Sequence, residues 1–165
     1  MTIDVLNDAI RHRRVVRNMT DRPIPSDELD LIMRSAHFAP SAGNRRIQTL
    51  TPVADERMLR LLREVSPGMF PVPRAAIVIG IDLDRAAHFG MDRSTPGLYV
   101  DVGTLAMTIM LSAMGRGIGS CPTASFSRAA AARLLGFDAN TLPWLIMCLG
   151  YPAAAQPDAF SVGTT

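Results

Sequence analysis

The chain has 165 residues, 48% of them apolar and 19% charged, with a formal charge of +2; a chain of this size buries roughly 70% of its unfolded surface as a single domain. All 17 basic residues are arginine and no lysine occurs, which excludes a Schiff-base lysine and the phosphate-gripping lysine of a Walker loop or a kinase. The two cysteines, Cys121 and Cys148, lack CxxC or Cys/His metal spacing, so they read as buried free thiols and no metal site is expected.

In chain order, Ile3, Leu6 and Ile10 at helical spacing predict a short first helix with Asp4 and Asp8 on its outer side. The opening residues carry acids and no basic leader, so no signal peptide is expected and the cytoplasm is the expected compartment. Arg13, Arg14 and Arg17 cluster where this helix ends. Pro23 and Pro25 mark an extended link, and Ser26-Asp27-Glu28 opens a second helix whose Leu29, Ile32, Met33 and Ala36 share one face, with Pro40 as its stop. A third helix is expected from 55 to about 65, with Met58, Leu61 and Leu62 inward and Arg57, Arg60 and Arg63 outward. The apolar runs 75–81 and 144–150 predict buried strands, and 49–53 a third. Residues 100–114 are apolar almost all round, which predicts a helix buried on every side, at the centre of the fold or at a subunit interface. The longest apolar run, 98–114, is interrupted by Asp101 and falls short of the ~20 residues of a bilayer span, so no membrane segment is expected. Gly115 and Gly117 stop it, and Ser127 is placed to cap a last helix ending before Gly136. The organisation expected is one domain over 1–152 and an extended or disordered tail over 153–165.

Three constellations carry chemistry. The cluster Arg13-Arg14-Val15-Val16-Arg17 offers planar guanidinium forks suited to phosphate; a solvated basic face and a nucleic-acid footprint share this pattern. The segment Ala39-Pro40-Ser41-Ala42-Gly43-Asn44 presents a hydroxyl, backbone amides and a side-chain amide in a turn, as an ordinary helix stop also does. Asp101, the apolar helix and Gly115-Arg116-Gly117-Ile118-Gly119-Ser120-Cys121-Pro122 form the third. These glycines follow a helix, whereas a Rossmann fingerprint follows a strand and opens a helix. His12, His37 and His88 have no HExxH spacing, and no G-x-S-x-G elbow organises a serine nucleophile.

Together, over about residues 9–152, the three resemble the FMN-dependent nitroreductase family. The resemblance implies a compact α+β nitroreductase-like fold, a central mixed β-sheet flanked by helices, in a homodimer with two FMN sites at its interface. It implies that Arg13, Arg14 and Arg17 meet the FMN phosphate and ribityl chain, and that Pro40, Ser41, Ala42 and Asn44 approach the isoalloxazine ring, often of the other subunit. It places the loop Pro122, Thr123, Ala124 and Ser125, with its backbone N–H groups, against the N5 and O4 edge, with Phe126 packing below; fixed donors there stabilise the reduced ring without reorganisation. The implied activity is two-electron transfer from NADH or NADPH through FMN to a nitroaromatic or quinone, with a small-molecule substrate, no nucleic acid and no membrane. The flavin carries the reaction, so no catalytic side chain is named. Arg46, Met69 and Phe70 are candidates for the substrate pocket, core packing fitting the last two equally well.

The phrases Ser66-Pro67-Gly68, Gly119-Ser120-Cys121-Pro122 and Ser125-Phe126 are similar to the catalytic subunit of cyclic dipeptide oxidases. That likeness implies an alternative, a biosynthetic dehydrogenase with an accessory subunit; a flavin-binding protein without turnover is the other. Three departures from the family pattern imply weaker FMN binding or an altered pocket. Val15 stands where a small hydroxylated residue is common, Arg46-Ile47-Gln48 replaces Gln-Pro-Trp, and the carboxy terminus lacks the basic residue that completes the phosphate clamp.

Overall fold

The apolar runs at 75–81 and 144–150 lie side by side at the centre of the computed structural model, which describes residues 3–153. In chain order the elements are α1 (Ile3–His12), α2 (Ser26–Ala36), a 3-10 turn (Ala42–Asn44), β1 (Gln48–Val53), α3 (Glu56–Glu64), β2 (Ala75–Asp82), α4 (Leu83–His88), α5 (Pro96–Met114), β3 (Gly119–Thr123), α6 (Arg128–Leu135) and β4 (Thr141–Gly150). The expected tail, from 154 onward, lies outside the described residues.

The four strands form one sheet in the order β1-β2-β4-β3, and every pairing of named strands is antiparallel. The mixed character expected of the sheet is confined, among the described residues, to a single parallel bridge between Val15 and Ser120. Side chains alternate across a strand, and on β2 and β4 both sets are apolar. Ile77, Ile79, Ile81, Met147 and Leu149 meet α2 and α5 on one face. Ala76, Val78, Ile146 and Cys148 meet α3 and α6 on the other. The result is an α+β fold with helices on both faces of a largely buried central pair of strands.

Several expected elements differ in detail. The glycine and proline stretch after α5 is not a loop throughout: Gly119–Thr123 is the edge strand β3. α4 has no counterpart in the sequence reading, because six residues are too few to display a helical period; the Asp82 side chain caps it by accepting from Arg85 N–H. On α3 the inward residues are Leu59 and Leu62, while Leu61 is 37% exposed, since positions three apart share a face and adjacent ones do not.

The two apolar helices leave surface bare. α5 is 19 residues long, enough by length and composition to cross a membrane, which corrects the expectation that its run falls short. It is a core helix, with Leu98, Val102, Ala106, Ile109, Met110 and Ala113 buried against the sheet and α2. It is not covered on every side, because Val100 (64% exposed), Gly103 and Met107 (44%) form one bare stripe at i, i+3 and i+7. α1 has no buried residue at all; Ile3, Leu6 and Ile10, expected to face inward, are all exposed.

Candidate functional site

The arginine segment is fastened to the sheet edge immediately after α1. Val16 N–H donates to the Ser120 carbonyl at 2.9 Å, and Val15 bridges the same residue. Gly119 makes this approach possible, because a Cβ there would lie 2.7 Å from Val16 Cβ. Arg14 and Val16 line a cavity of about 220 Å³ with Met110, Met114, Gly117 and Ser120. The Arg14 guanidinium donates to the carbonyls of Arg11 and Arg13, which caps the end of α1 and commits part of its donor set. Arg13 is half-buried and Arg17 exposed, and neither side chain has a hydrogen-bond or carboxylate partner among the described residues. Arg17 lies close enough to β3 that its charge acts on the Cys121 thiol, whose pKa is nevertheless raised by burial. Cys148, deeper in the sheet, is pushed up to about 12, mainly by desolvation.

The second constellation is held by the other end of α5. After α2 the chain closes through backbone bonds from His37, Phe38 and Ala39, then makes the turn in which Asn44 N–H reaches the Ser41 carbonyl at 2.8 Å. Gly43, Asn44 and Arg46 all have positive φ (59°, 54° and 49°). Ser41 Oγ accepts from Arg46 N–H at 3.2 Å, and the buried Asp101 carboxylate accepts from Ala42 N–H at 3.0 and 3.1 Å. The Asn44 side chain is exposed and makes no hydrogen bond among the described residues. A cavity of about 130 Å³ opens between α2, the turn, β1 and α5, lined by Met33, His37, Ser41, Arg46, Gln48 and Leu105 among others.

The third constellation continues β3. Pro122 and Thr123 complete the edge strand, and Ala124 and Ser125 follow it as exposed residues. Ala124 N–H has no partner among the described residues. Gly68 N–H donates to the Ser125 carbonyl at 3.0 Å, and a Cβ on Gly68 would meet Ser125 Cβ at 2.7 Å. The turn 66–70 is thereby docked onto this loop and separates its two pocket candidates. Met69 is buried in the core cluster that also holds Phe126, whereas Phe70 is 71% exposed. A larger cavity of about 350 Å³ beside α3, with Arg60, Arg63 and Arg74 in its wall, contains none of the site candidates.

Within one chain, the arginine segment and the Ser41–Asn44 turn do not meet. The turn is bonded to α5 at Asp101, while the Arg14 cavity reaches Met110 and Met114, which follow Asp101 by 9 and 13 residues, about 14 and 20 Å along a helix. One end offers unpaired guanidinium groups for an anion; the other offers an amide and a hydroxyl for a polar ring edge. Ala124, at the end of β3 beside the turn 66–70, presents an N–H with no partner among the described residues. This donor set fits a long cofactor with a phosphate at one end and a hydrogen-bonding ring at the other. Asp101 was part of a motif in the sequence, but its task could not be read there, since its partner lies 59 residues away and is a backbone group.

A sequence model described as the Nitroreductase family matches residues 10–68 and 51–151. The chain is 30% identical over 156 residues to a provisionally named NADH dehydrogenase/NAD(P)H nitroreductase of Methanothermobacter thermautotrophicus, an alignment covering 92% of this chain and 78% of that protein. Its fold is similar to that of a provisionally named nitroreductase from Bacillus subtilis, with a TM-score of 0.83, 18% identity and coverage of 98% and 96% of the two chains. It is also similar to the structure of an FMN-dependent nitroreductase from Clostridium difficile R20291, with a TM-score of 0.77, 22% identity and coverage of 93% and 91%.

Proposed function

The chain belongs to the nitroreductase family and is an oxidoreductase, and from that premise we propose that it is a homodimeric FMN enzyme that passes two electrons from NADH or NADPH to a nitroaromatic or quinone. The observation that carries this reading is the separation of the two half-sites along α5. One chain has its arginine segment, through Arg14, at the Met114 end of the helix and a polar turn at the Asp101 end. A second copy laid antiparallel along the bare Val100, Gly103 and Met107 stripe brings the turn of one chain to the arginines of the other. The exposed apolar face of α1 supplies further surface of the same kind.

In this arrangement Arg13 and Arg17 bind the phosphate, with charge-assisted bonds from donors that no described residue already occupies. Ser41 and Asn44 orient the polar edge of the ring, and Ala124 N–H supplies a fixed donor at the sheet edge. Phe70 and Arg46 border the substrate space, the first with apolar surface and the second with a permanent charge. FMN, when bound, supplies the two-electron chemistry, which is why the chain needs no acid or base of its own.

The test is to release the cofactor, identify it by chromatography, and titrate the protein anaerobically with NADH and NADPH before adding nitroaromatics, quinones or a cyclic dipeptide. FMN that bleaches with a reduced nicotinamide and recovers with a nitroaromatic or quinone is the expected result. FAD, no flavin after reconstitution, or reduction by the cyclic dipeptide alone would count against it.

A further inference from the structure

The turn that carries Ser41 and Asn44 is gripped by one face of α5, where positions 97, 101 and 104 line up. Asp101, 5% exposed, takes the Ala42 N–H with both carboxylate oxygens, at 3.1 and 3.0 Å, and lies 3.5 Å from the Gln48 side-chain amide, which also donates to the Leu98 carbonyl at 3.1 Å. Thr104 Oγ1 donates to the Pro40 carbonyl at 2.8 Å, on the other side of the same turn. No cation forms an ion pair with Asp101 among the described residues. Burying a carboxylate with neutral partners alone is costly, and a neutral acceptor would satisfy one N–H with less desolvation.

The turn itself explains what the carboxylate is for. Asn44 and Arg46 are non-glycine residues with φ of 54° and 49°, next to Gly43 at 59°. Two such residues on either side of Arg45, itself at φ −84°, persist only where their surroundings over-determine them. We propose that Asp101, assisted by Thr104, is a positioning residue. It locks the turn 40–46, in which Gly43, Asn44 and Arg46 are left-handed, and so fixes the Ser41 and Asn44 side chains of the ring-facing half-site. The inference rests on the flavin reading above. It adds that the helix carrying the bare interface stripe on one side holds the ring-facing turn on another, so that chain pairing and turn geometry share one rigid element.

Hydrogen exchange of the ligand-free protein, followed by flavin measurements at saturating FMN, tests this in wild type, Asp101→Asn and Asp101→Ala. Asp101→Ala is expected to raise exchange across 40–46 by about tenfold while β2 and β4 stay protected, and Asp101→Asn to restore most of the protection. With FMN bound, the alanine variant retains the cofactor but shows an altered visible circular dichroism and a kcat lower by about a hundredfold. Should Asp101→Ala not fold, Thr104→Val, which removes the Oγ1 contacts with the Pro40 and Asp101 carbonyls but leaves the Asp101 carboxylate on Ala42 N–H, gives the same pattern at smaller amplitude. Unchanged exchange at 40–46, loosening spread evenly over the chain, or an unaltered flavin spectrum and kcat above a loosened turn overturns the proposal. A wild-type chain that takes up no flavin contradicts the functional reading instead, and the exchange measurements still decide whether Asp101 holds the turn.

Discussion

Arg13 and Arg17 differ from Arg60, Arg74 and Arg116 in having no carboxylate within reach among the described residues. An unpaired guanidinium at a sheet edge is available to an anion, and a charge-assisted hydrogen bond contributes about 1.5 to 3 kcal/mol. Arg13→Ala should therefore weaken FMN binding by roughly ten- to a hundredfold, measured by fluorescence titration. Arg60→Ala, which breaks only an exposed 3.8 Å pair with Glu56, should leave it unchanged; equal losses from the two would remove the phosphate assignment. Arg46, at the wall of the smaller cavity, should favour anionic acceptors. Arg46→Gln should lower kcat/KM for a carboxylate-bearing nitroaromatic more than for its neutral counterpart, and added salt should shrink the difference. Selectivity that is the same for both proteins at low and high salt would leave Arg46 without this role. The cysteines give a third check. Burial raises both thiol pKa values, Cys148 to about 12, so at pH 8 both are protonated and unreactive in the native protein. An alkylating reagent should modify neither until the chain is unfolded, and rapid native labelling would show that the sheet is open at β3.

At the scale of elements, what could be read in the sequence was whatever left a periodic or uninterrupted signature. The apolar runs of β2 and β4, the stop of α2 before Pro40 and the Ser127 cap of α6 are all of this kind. β3 was hidden because Gly119 and Pro122 carry loop chemistry, although an edge strand tolerates both. The glycine has a packing reason visible only in three dimensions, the contact with Val16. Gly119→Ala should push the arginine segment off the sheet edge, at a cost of about 1 to 3 kcal/mol, and weaken FMN binding with it. Adding Val16→Gly, which removes the Cβ as well as the two methyl groups, makes room for the new methyl group and should recover much of both losses. Failure of the second substitution to rescue binding, in a folded protein, would mean that the segment is not held there by this contact. The family motifs were legible as strings of residues, but the division of labour inside them was not. Arg14 caps α1, and Met69 packs in the core where Phe70 does not. Each outcome is fixed by contacts distant in sequence or by which side of a turn a residue falls on.

For the whole molecule, the even apolar character of α5 was readable as a buried or interfacial helix, and the structure divides it into a buried face and a bare stripe. In the proposed homodimer, two antiparallel copies packed along this stripe would bring the half-sites at opposite ends of the helix together and form the site twice. Mixing two inactive variants measures this most directly. One chain carries Arg13→Ala with Arg17→Ala and lacks the phosphate half; the other carries Ser41→Ala with Asn44→Ala and lacks the ring-facing half. Each alone should bind FMN poorly and turn over slowly. Co-refolded, they should form heterodimers in which one site has both halves intact, with FMN binding and NADPH-driven bleaching restored at that site. If each chain builds its site alone, the mixture will be no more active than its two components.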